Sequence, residues 1–261
     1  MKKVEPKVFL IGESAVVEDG LREYLNYLDV PDWKSDAPTD EEKIVEVMGR
    51  LCYRSFKPGL NPNVTKVREH NKDYIENILK VKHGSVIEHP VFNFIFADVS
   101  RIFTHELVRH RVGVAISQES LRFVRIEELR QWLPAFVRED GVVEEIFVRA
   151  FKYLEKLQKT LAKHWKLDDV DLPFHKKKKI TSAMRRLAPE GLATTVGWSA
   201  NPRTLRWVIE ARTDPGAEEE IRLVFGMVAE IVIKRYPHLF GDFTKEIVDG
   251  LPFYQPVNSK I

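Results

Sequence analysis

Hydrophobic residues recur along this chain with two periods, and the switches between them mark its elements. Val8-Phe9-Leu10-Ile11 is a short apolar run that predicts a strand. Ile44, Val45, Val47, Met48 and Leu51 return on a 3.6-residue period and predict a helix over Glu41 to Leu51. Between these two, the charged stretch Pro31 to Pro38 reads as a loop, and so does Tyr53 to Val64, rich in Pro, Gly and Asn. Helical spacing resumes over Lys66 to Val81 and stops at Lys82-His83-Gly84, with the glycine just past the end. Val91 to Val99 alternates aromatic and aliphatic residues with small or polar ones, as a half-buried strand does. Ser100 then caps a helix through Ile102, Phe103, Leu107 and Val108 to Arg109-His110-Arg111, where helix gives way to loop.

The second half is helical by the same criterion. Val142 to Lys166 predicts a long amphipathic helix, Asp168 to Pro173 a linker, and Lys176 to Leu187 a helix stopped near Pro189. Pro202 starts a helix through Leu205, Val208 and Ile209, with Asn201 as its cap, Arg203 and Arg206 pointing outward and Arg212 near its C-terminal end. Ala217 to Arg235 is the last strong helix, followed by Pro237 and a short tail. No internal repeat is visible. A helix-rich pattern with few strands fits an α+β domain better than a βαβ series.

Composition narrows the partners. The 261 residues, 44% of them hydrophobic, suffice for one large domain or two small ones with a real core. Lys plus Arg (41) nearly balance Asp plus Glu (39), so the formal charge of +2 gives no whole-molecule case for nucleic-acid binding, and any anion site must be local. Lys176 to Lys179 reads as a solvated face, because no aromatics interrupt it. Cys52 is the only cysteine, which excludes an internal disulfide and a multi-cysteine zinc site, and it is read as a buried small hydrophobe. Val8 to Ile11 is too short for a signal-peptide core, and no stretch approaches a membrane span, so a cytoplasmic protein is expected, with no membrane partner.

The chemistry concentrates at Arg109-His110-Arg111 and Ser117-Gln118-Glu119-Ser120-Leu121-Arg122. Planar guanidinium forks suit phosphate and carboxylate oxygens, so the expected ligand is anionic. His105 and His110 resemble a zinc-hydrolase pair, but they are five residues apart and so about 140° out of line on a helix. No metal is expected, and His105 is read as a helix-packing residue.

These residues resemble the signature of the flavin-dependent thymidylate synthases, Arg-His-Arg-x-x-Ser-x-Asn-Glu-x-Ser-x-Arg, in which some members carry Ser-Gln for Asn-Glu. Arg109-His110-Arg111 opens it, Ser117-Gln118 fits the Asn-Glu position and Ser120-x-Arg122 closes it. Val112 to Ile116 is one residue longer than the pattern and lacks the internal Ser, so the backbone there must bulge or the register shift. Phe123 stands where Tyr is frequent. Three further blocks follow the family's order over about residues 40 to 245. His83-Gly84-Ser85-Val86-Ile87-Glu88-His89 resembles its His-x-Ser/Thr-x-x-Glu-His, upstream of Phe92-x-Phe94. Arg185, four before Pro189, resembles the Arg of its Arg-x-x-Leu-Pro, with Ala188 in place of Leu. Asn201-Pro202-Arg203-Thr204-Leu205 through Arg212 resembles its Asn-Ala-Arg-Ser-Leu helix, with Trp207 where the family is polar. Read alone, these blocks are a helix cap with a solvated Glu and His, arginines at a helix end, and an ordinary charged helix.

The resemblance implies a curved antiparallel or mixed sheet with flanking helices, assembled as a homotetramer with shared active sites. It implies reductive methylation of dUMP to dTMP with FAD as cofactor, methylene-tetrahydrofolate as carbon donor and NADPH as reductant. Arg212 would be catalytic, stabilising negative charge on the uracil. Glu106, Arg109, Gln118, Glu119, Ser120, Leu121, Arg122, Arg185 and Arg212 would bind the nucleotide. His83, Ser85, Glu88, Arg109, His110, Arg111, Gln118, Asn201, Arg203 and Trp207 would contact FAD. Glu106 stands where the family has Gln, and a carboxylate beside a phosphate repels it unless protonated or paired. The longer signature, Glu106 and Trp207 keep open a flavoenzyme of the same fold acting on another pyrimidine nucleotide, and the basic segments a non-enzymatic RNA-binding protein.

Overall fold

Phe92, Phe94 and Phe96 are all buried on one side of a strand, and the polar or smaller residues between them lie on the other, as the alternation predicts. The computed structural model describes residues 1–124 and 128–260. In chain order its elements are β1 (Lys2–Lys3), β2 (Lys7–Gly12), α1 (Glu18–Tyr27), α2 (Asp40–Tyr53), α3 (Asn71–Lys80), a 3-10 turn (Gly84–Glu88), β3 (Phe92–Ser100), α4 (Arg101–Leu107), β4 (Val114–Gln118), β5 (Arg130–Gln131), α5 (Ala135–Arg138), α6 (Gly141–His164), α7 (Phe174–Met184), a second 3-10 turn (Arg185–Leu187), β6 (Ala193–Ala200), α8 (Pro202–Thr213), α9 (Glu219–Arg235), α10 (Pro237–Phe240), β7 (Phe243–Val248) and β8 (Leu251–Pro256). The arrangement is α+β. A four-stranded sheet runs in the order β2-β3-β6-β4, β1 pairs with β5 in parallel, and β7 and β8 form an antiparallel hairpin.

Two compact units divide the chain, and the boundary falls within the strands of the larger sheet. The first holds Met1–Phe9, Ile95–His110 and Ile116–Trp198. Its core sets Phe96 edge-on to Phe103 at 5.6 Å and against Trp198 at 5.9 Å, all three almost fully buried. Arg101 N–H donates to the carbonyls of Glu190 and Leu192, just past the end of β3. The second unit holds Leu10–Phe94, Arg111–Ala115 and Ser199–Ile261. Here Phe92 packs on Tyr236 at 4.5 Å and Phe240 at 6.2 Å, and α8 and α9 each bury an apolar face.

Most predicted helices and both predicted strands are present, with six corrections. α3 begins at Asn71 and not near Lys66, because Arg50 claims the Arg68 carbonyl and Asp36 the Asn71 N–H. Strand β4 replaces the loop expected after Arg111. Strand β6 and helix α1 went unread. So did the β7–β8 hairpin, which stands where a short tail was expected. Its turn is Asp249-Gly250, both at positive φ (54° and 76°), the sequence and geometry of a type I′ hairpin. Cys52 is exposed, not buried: it sits on the last turn of α2, with its thiol donating to the Met48 carbonyl at 3.4 Å.

Helix α2 is turned relative to its hydrophobic stripe. Its deepest face is Glu42, Val45, Glu46, Gly49 and Arg50, while Ile44, Val47, Met48 and Leu51 line an apolar groove with Val16, Val17, Leu21 and Tyr24. Charges tolerate such burial only when paired and fully hydrogen-bonded. Arg50 meets that condition. It donates from Nε and Nη2 to Glu46 at 2.9 and 2.7 Å, and reaches the carbonyls of Ser55 and Arg68, both at 2.7 Å. Glu46 also accepts from Asn71 Nδ2 at 2.8 Å and from Ser35. Glu42 accepts the His238 N–H at 2.7 Å and so caps α10. Burial pushes the Glu42 carboxyl up, and these hydrogen bonds only partly offset it; burial likewise holds His238 below the usual histidine range.

Replacing Arg50 by Ala strands Glu46 in the interior and frees two carbonyls. The expected cost is about 3–5 kcal/mol, measured as a fall in the urea midpoint at constant slope. A midpoint within error of wild type would show that the pair is dispensable.

Candidate functional site

The basic signature begins as α4 ends. Ser100 Oγ caps α4 by accepting the Phe103 N–H at 3.1 Å, and after Leu107 the chain tightens, with Arg109 N–H on the Glu106 carbonyl and His110 N–H on that of Leu107. Glu106 is half-buried, Arg109 exposed and His110 buried. Gln118, at the end of β4, donates to Thr104 Oγ1 on α4 at 3.4 Å, tying the two halves of the signature together in the first unit. His105 does not pack as expected: it is exposed, 3.8 Å from Glu190.

Residues 119–124 form a turn whose polar groups are largely engaged. Glu119 exchanges two bonds with Thr195: its N–H meets the Thr195 carbonyl and its Oε2 accepts the Thr195 N–H, both at 3.0 Å. Ser120 Oγ accepts the Arg122 N–H at 3.3 Å, and its carbonyl takes those of Phe123 and Val124. Leu121 packs into the cluster of Leu129, Phe151 and Leu192. Thr181 on α7 donates to the Arg122 carbonyl at 2.8 Å, and Lys178 sits 4.7 Å over the Phe123 ring. Arg185 is exposed and opens the 3-10 turn that follows α7. Lys178 is therefore no purely solvated residue. Sequence reading missed this, since the Lys run shows no period of its own.

In the second unit the site is built on α8. Asn201 Oδ1 accepts the Thr204 N–H at 2.9 Å and starts the helix. Arg203 is exposed, pairs with Glu88 at 2.5 Å and lies across Gly84, where any Cβ would stand 2.6 Å from its Nε. The 3-10 turn thus presents Ser85 and Glu88 at the surface beside Arg203, while His83 lies near-coplanar with Tyr53, its ring nitrogens 3.2 Å from the Tyr53 hydroxyl. Arg203, Thr204, Trp207, Glu88 and Lys260 line a cavity of about 480 Å³. Trp207 is half exposed there. Arg111 is exposed, and Arg212 is half-buried near the end of α8. The extra signature residue meets a turn at Val112-Gly113: Gly113 (φ 68°) accepts the Asn201 N–H at 3.3 Å, and Val112 accepts the Thr204 hydroxyl at 2.8 Å.

Arg206 does not point outward. It is buried in a two-pronged pair with Asp242 at 2.6 and 2.8 Å, and it also donates to the carbonyls of Leu239 and Asn258. Burial pushes the Asp242 carboxyl up, but the Arg206 hydrogen bonds and charge outweigh it and hold the group below the usual range. Pro256, Asn258, Ser259 and Lys260 thereby reach the cavity. Only the Asp-Gly turn signal in the sequence could have found them.

A family model described as thymidylate synthase complementing protein matches residues 35–238. A flavin-dependent thymidylate synthase of Corynebacterium diphtheriae is 34% identical over 227 residues, covering 84% of this chain and 86% of its own. The chain belongs to the flavin-dependent thymidylate synthase family. Among solved structures, the UMP/dUMP methylase PolB from Streptomyces cacaoi, bound with 5-Br dUMP, superimposes with a TM-score of 0.65 at 15% identity over 92% of this chain and 96% of that one. Thymidylate synthase X from Helicobacter pylori, with FAD and dUMP, gives 0.55 at 21% over 77% and 93%. At such identities these likenesses bear on the fold alone, and they match its α+β arrangement. Among the described residues no helix is long and apolar enough to cross a membrane.

Gly113 is a position where this member of the flavin-dependent thymidylate synthase family has little room for a side chain. A Cβ there would stand 2.5 Å from Asn201 Nδ2 and 2.6 Å from Thr204 Oγ1 at a left-handed φ. Gly113→Ala is expected to cost about 1–3 kcal/mol by chemical denaturation. An unchanged midpoint would mean that the cap and turn adjust freely.

Proposed function

We propose that this chain is an FAD-dependent enzyme that methylates dUMP to dTMP, taking the carbon from methylene-tetrahydrofolate and the electrons from NADPH. The balance is dUMP, methylene-tetrahydrofolate, NADPH and a proton in, and dTMP, tetrahydrofolate and NADP⁺ out. The chain acts as a single catalytic domain, in a homotetramer whose active sites draw on segments of different subunits, and in the cytoplasm. The observation that carries the reading is the α8 cavity: one helix sets Arg203 and the Trp207 ring around a space within the usual size of a cofactor site. A fixed cation, a second one at Lys260 and an exposed aromatic face suit an anionic ligand with a planar ring, and FAD is such a ligand.

FAD supplies hydride transfer, and the protein's own residues hold and polarise its partners. Arg203, with Ser85, Glu88, Asn201, Arg111 and Trp207, holds the cofactor; His83, Arg109, His110 and Gln118 complete that set. Arg109, Arg122 and Arg185 neutralise the nucleotide phosphate, while Gln118, Ser120 and the turn through Glu119 and Leu121 orient it. Ser120 still has its proton to donate. Arg212 stabilises negative charge on the uracil as N3 loses its proton, which activates the ring towards the carbon donor. The half-buried Glu106 favours a second reading, in which the same chemistry acts on another pyrimidine nucleotide.

Purified protein mixed with FAD should show a protein-bound flavin spectrum, and reduced flavin should reoxidise anaerobically only when dUMP and methylene-tetrahydrofolate are both present, with dTMP identified by mass spectrometry. UMP run in parallel separates the two readings. Arg212→Ala should retain flavin and fold while reoxidation slows by about a hundredfold or more, and Arg212→Lys should rescue poorly because a point charge cannot replace a planar fork. Normal turnover in Arg212→Ala would remove Arg212 from the mechanism. Light scattering should report a tetramer, and a fully active monomer would rule out shared sites.

A further inference from the structure

The turn that carries Ser120 and Arg122 is gripped from outside by α7. Phe174, Lys178 and Thr181 are spaced four and three residues apart, so they share one face of that helix. Thr181 Oγ1 donates to the Arg122 carbonyl at 2.8 Å, and the Lys178 ammonium lies 4.7 Å over the Phe123 ring. The Phe174 ring stacks on Phe123 at 6.2 Å with 22° between their planes. Another face of α7 is seated in the interior: Ile180 and Met184 pack with Ala162 and Leu167, and Gln158 on α6 donates to the Met184 carbonyl at 3.0 Å. The turn is thus fastened to a helix that is itself fastened to α6.

Two features show that this grip does not serve the core. Phe123 and Phe174 are 57% and 68% exposed, so their stack buries little apolar surface. Thr181 has one hydroxyl proton and two further acceptors within α7, the carbonyls of Lys177 and Lys178 at 3.1 and 3.2 Å, so the helix has no need of the Arg122 carbonyl. What the contacts fix is the backbone of Arg122. Its N–H lies on Ser120 Oγ and its carbonyl on Thr181, so the peptide groups on both sides are held while the side chain is exposed. A guanidinium on a fixed backbone engages an anion without first ordering the residues that carry it, and ordering them on binding would weaken affinity. We propose that Phe174, Lys178 and Thr181 are positioning residues, which hold the turn so that Arg122 meets the phosphate of the nucleotide. The inference rests on the nucleotide-binding role proposed above for Arg122; the grip of α7 on the turn does not.

Calorimetric titration of flavin-loaded protein tests this, with dUMP against deoxyuridine, which lacks the phosphate. The Phe174→Ala/Thr181→Val variant should bind dUMP about tenfold more weakly, and deoxyuridine as wild type does. In turnover its KM for dUMP should rise while kcat at saturating dUMP stays close to the wild-type value, and Phe174→Ala/Thr181→Ser should recover part of the loss. Placed on an Arg122→Ala background, the same two changes should weaken dUMP by about twofold or less, because the residue they act through is already gone. Without any nucleotide, amide exchange over residues 119–124 should speed up in the double variant while exchange in α6 is unchanged. Unaltered exchange of the turn, or a tenfold loss that recurs for deoxyuridine or on the Arg122→Ala background, would overturn the inference. Wild-type protein that does not bind dUMP would instead remove the nucleotide reading, and with it the role given to Arg122.

Discussion

Arg50 and Glu46 form the constraint on which the second unit depends. A buried charge pair contributes little net stability over a well-packed apolar pair, and its usual effect is to demand one arrangement. Here the demand extends well beyond the two residues. The guanidinium fixes the carbonyls of Ser55 and Arg68, so both ends of a loop with little regular structure are anchored to α2. Glu46 binds Asn71, and Asn71 lies 2.6 Å from His238, which links α2, α3 and α10 through one polar chain. Helix α2 is thereby turned so that its charged face lies inward.

That rotation explains what could and could not be read from the sequence. Periodicity located α2 correctly, because a helix forms whichever of its faces is buried. Which face goes inward was hidden, because Glu42, Glu46 and Arg50 look like solvent-facing residues until their partners are known, and those partners lie up to two hundred positions away. The same holds for Arg206, whose acceptor Asp242 belongs to a different element. Strand β6 escaped notice because Ala193-Thr194-Thr195-Val196-Gly197 is too small and polar to show clear alternation; it is a strand through the ladder its neighbours offer.

The helix caps were more legible than the architecture around them. Caps and signature residues act through their own chemistry at short range, so Ser100, Asn201 and the arginine run could be recognised without a fold. Resemblance to the flavin-dependent thymidylate synthases supplied the family, and the structure added local detail. Glu119 and Leu121 are held by Thr195 and by the core around Phe151, which makes them supports of the turn carrying Ser120 and Arg122.

The hairpin that follows α10 bears on how the protein is made. One wall of the α8 cavity is formed by Arg203 and Trp207, and another by residues from Pro256 onward, held through Asn258 and Asp242. During translation the helix emerges first, and the closing wall leaves the ribosome some forty residues later. Until then Arg206 has no Asp242 to meet, and an unpaired guanidinium disfavours burial. The helix must therefore wait for the hairpin before it can seat fully. The cavity is a late product of synthesis, and a ligand bound there can stabilise the finished protein without guiding the early steps of its folding.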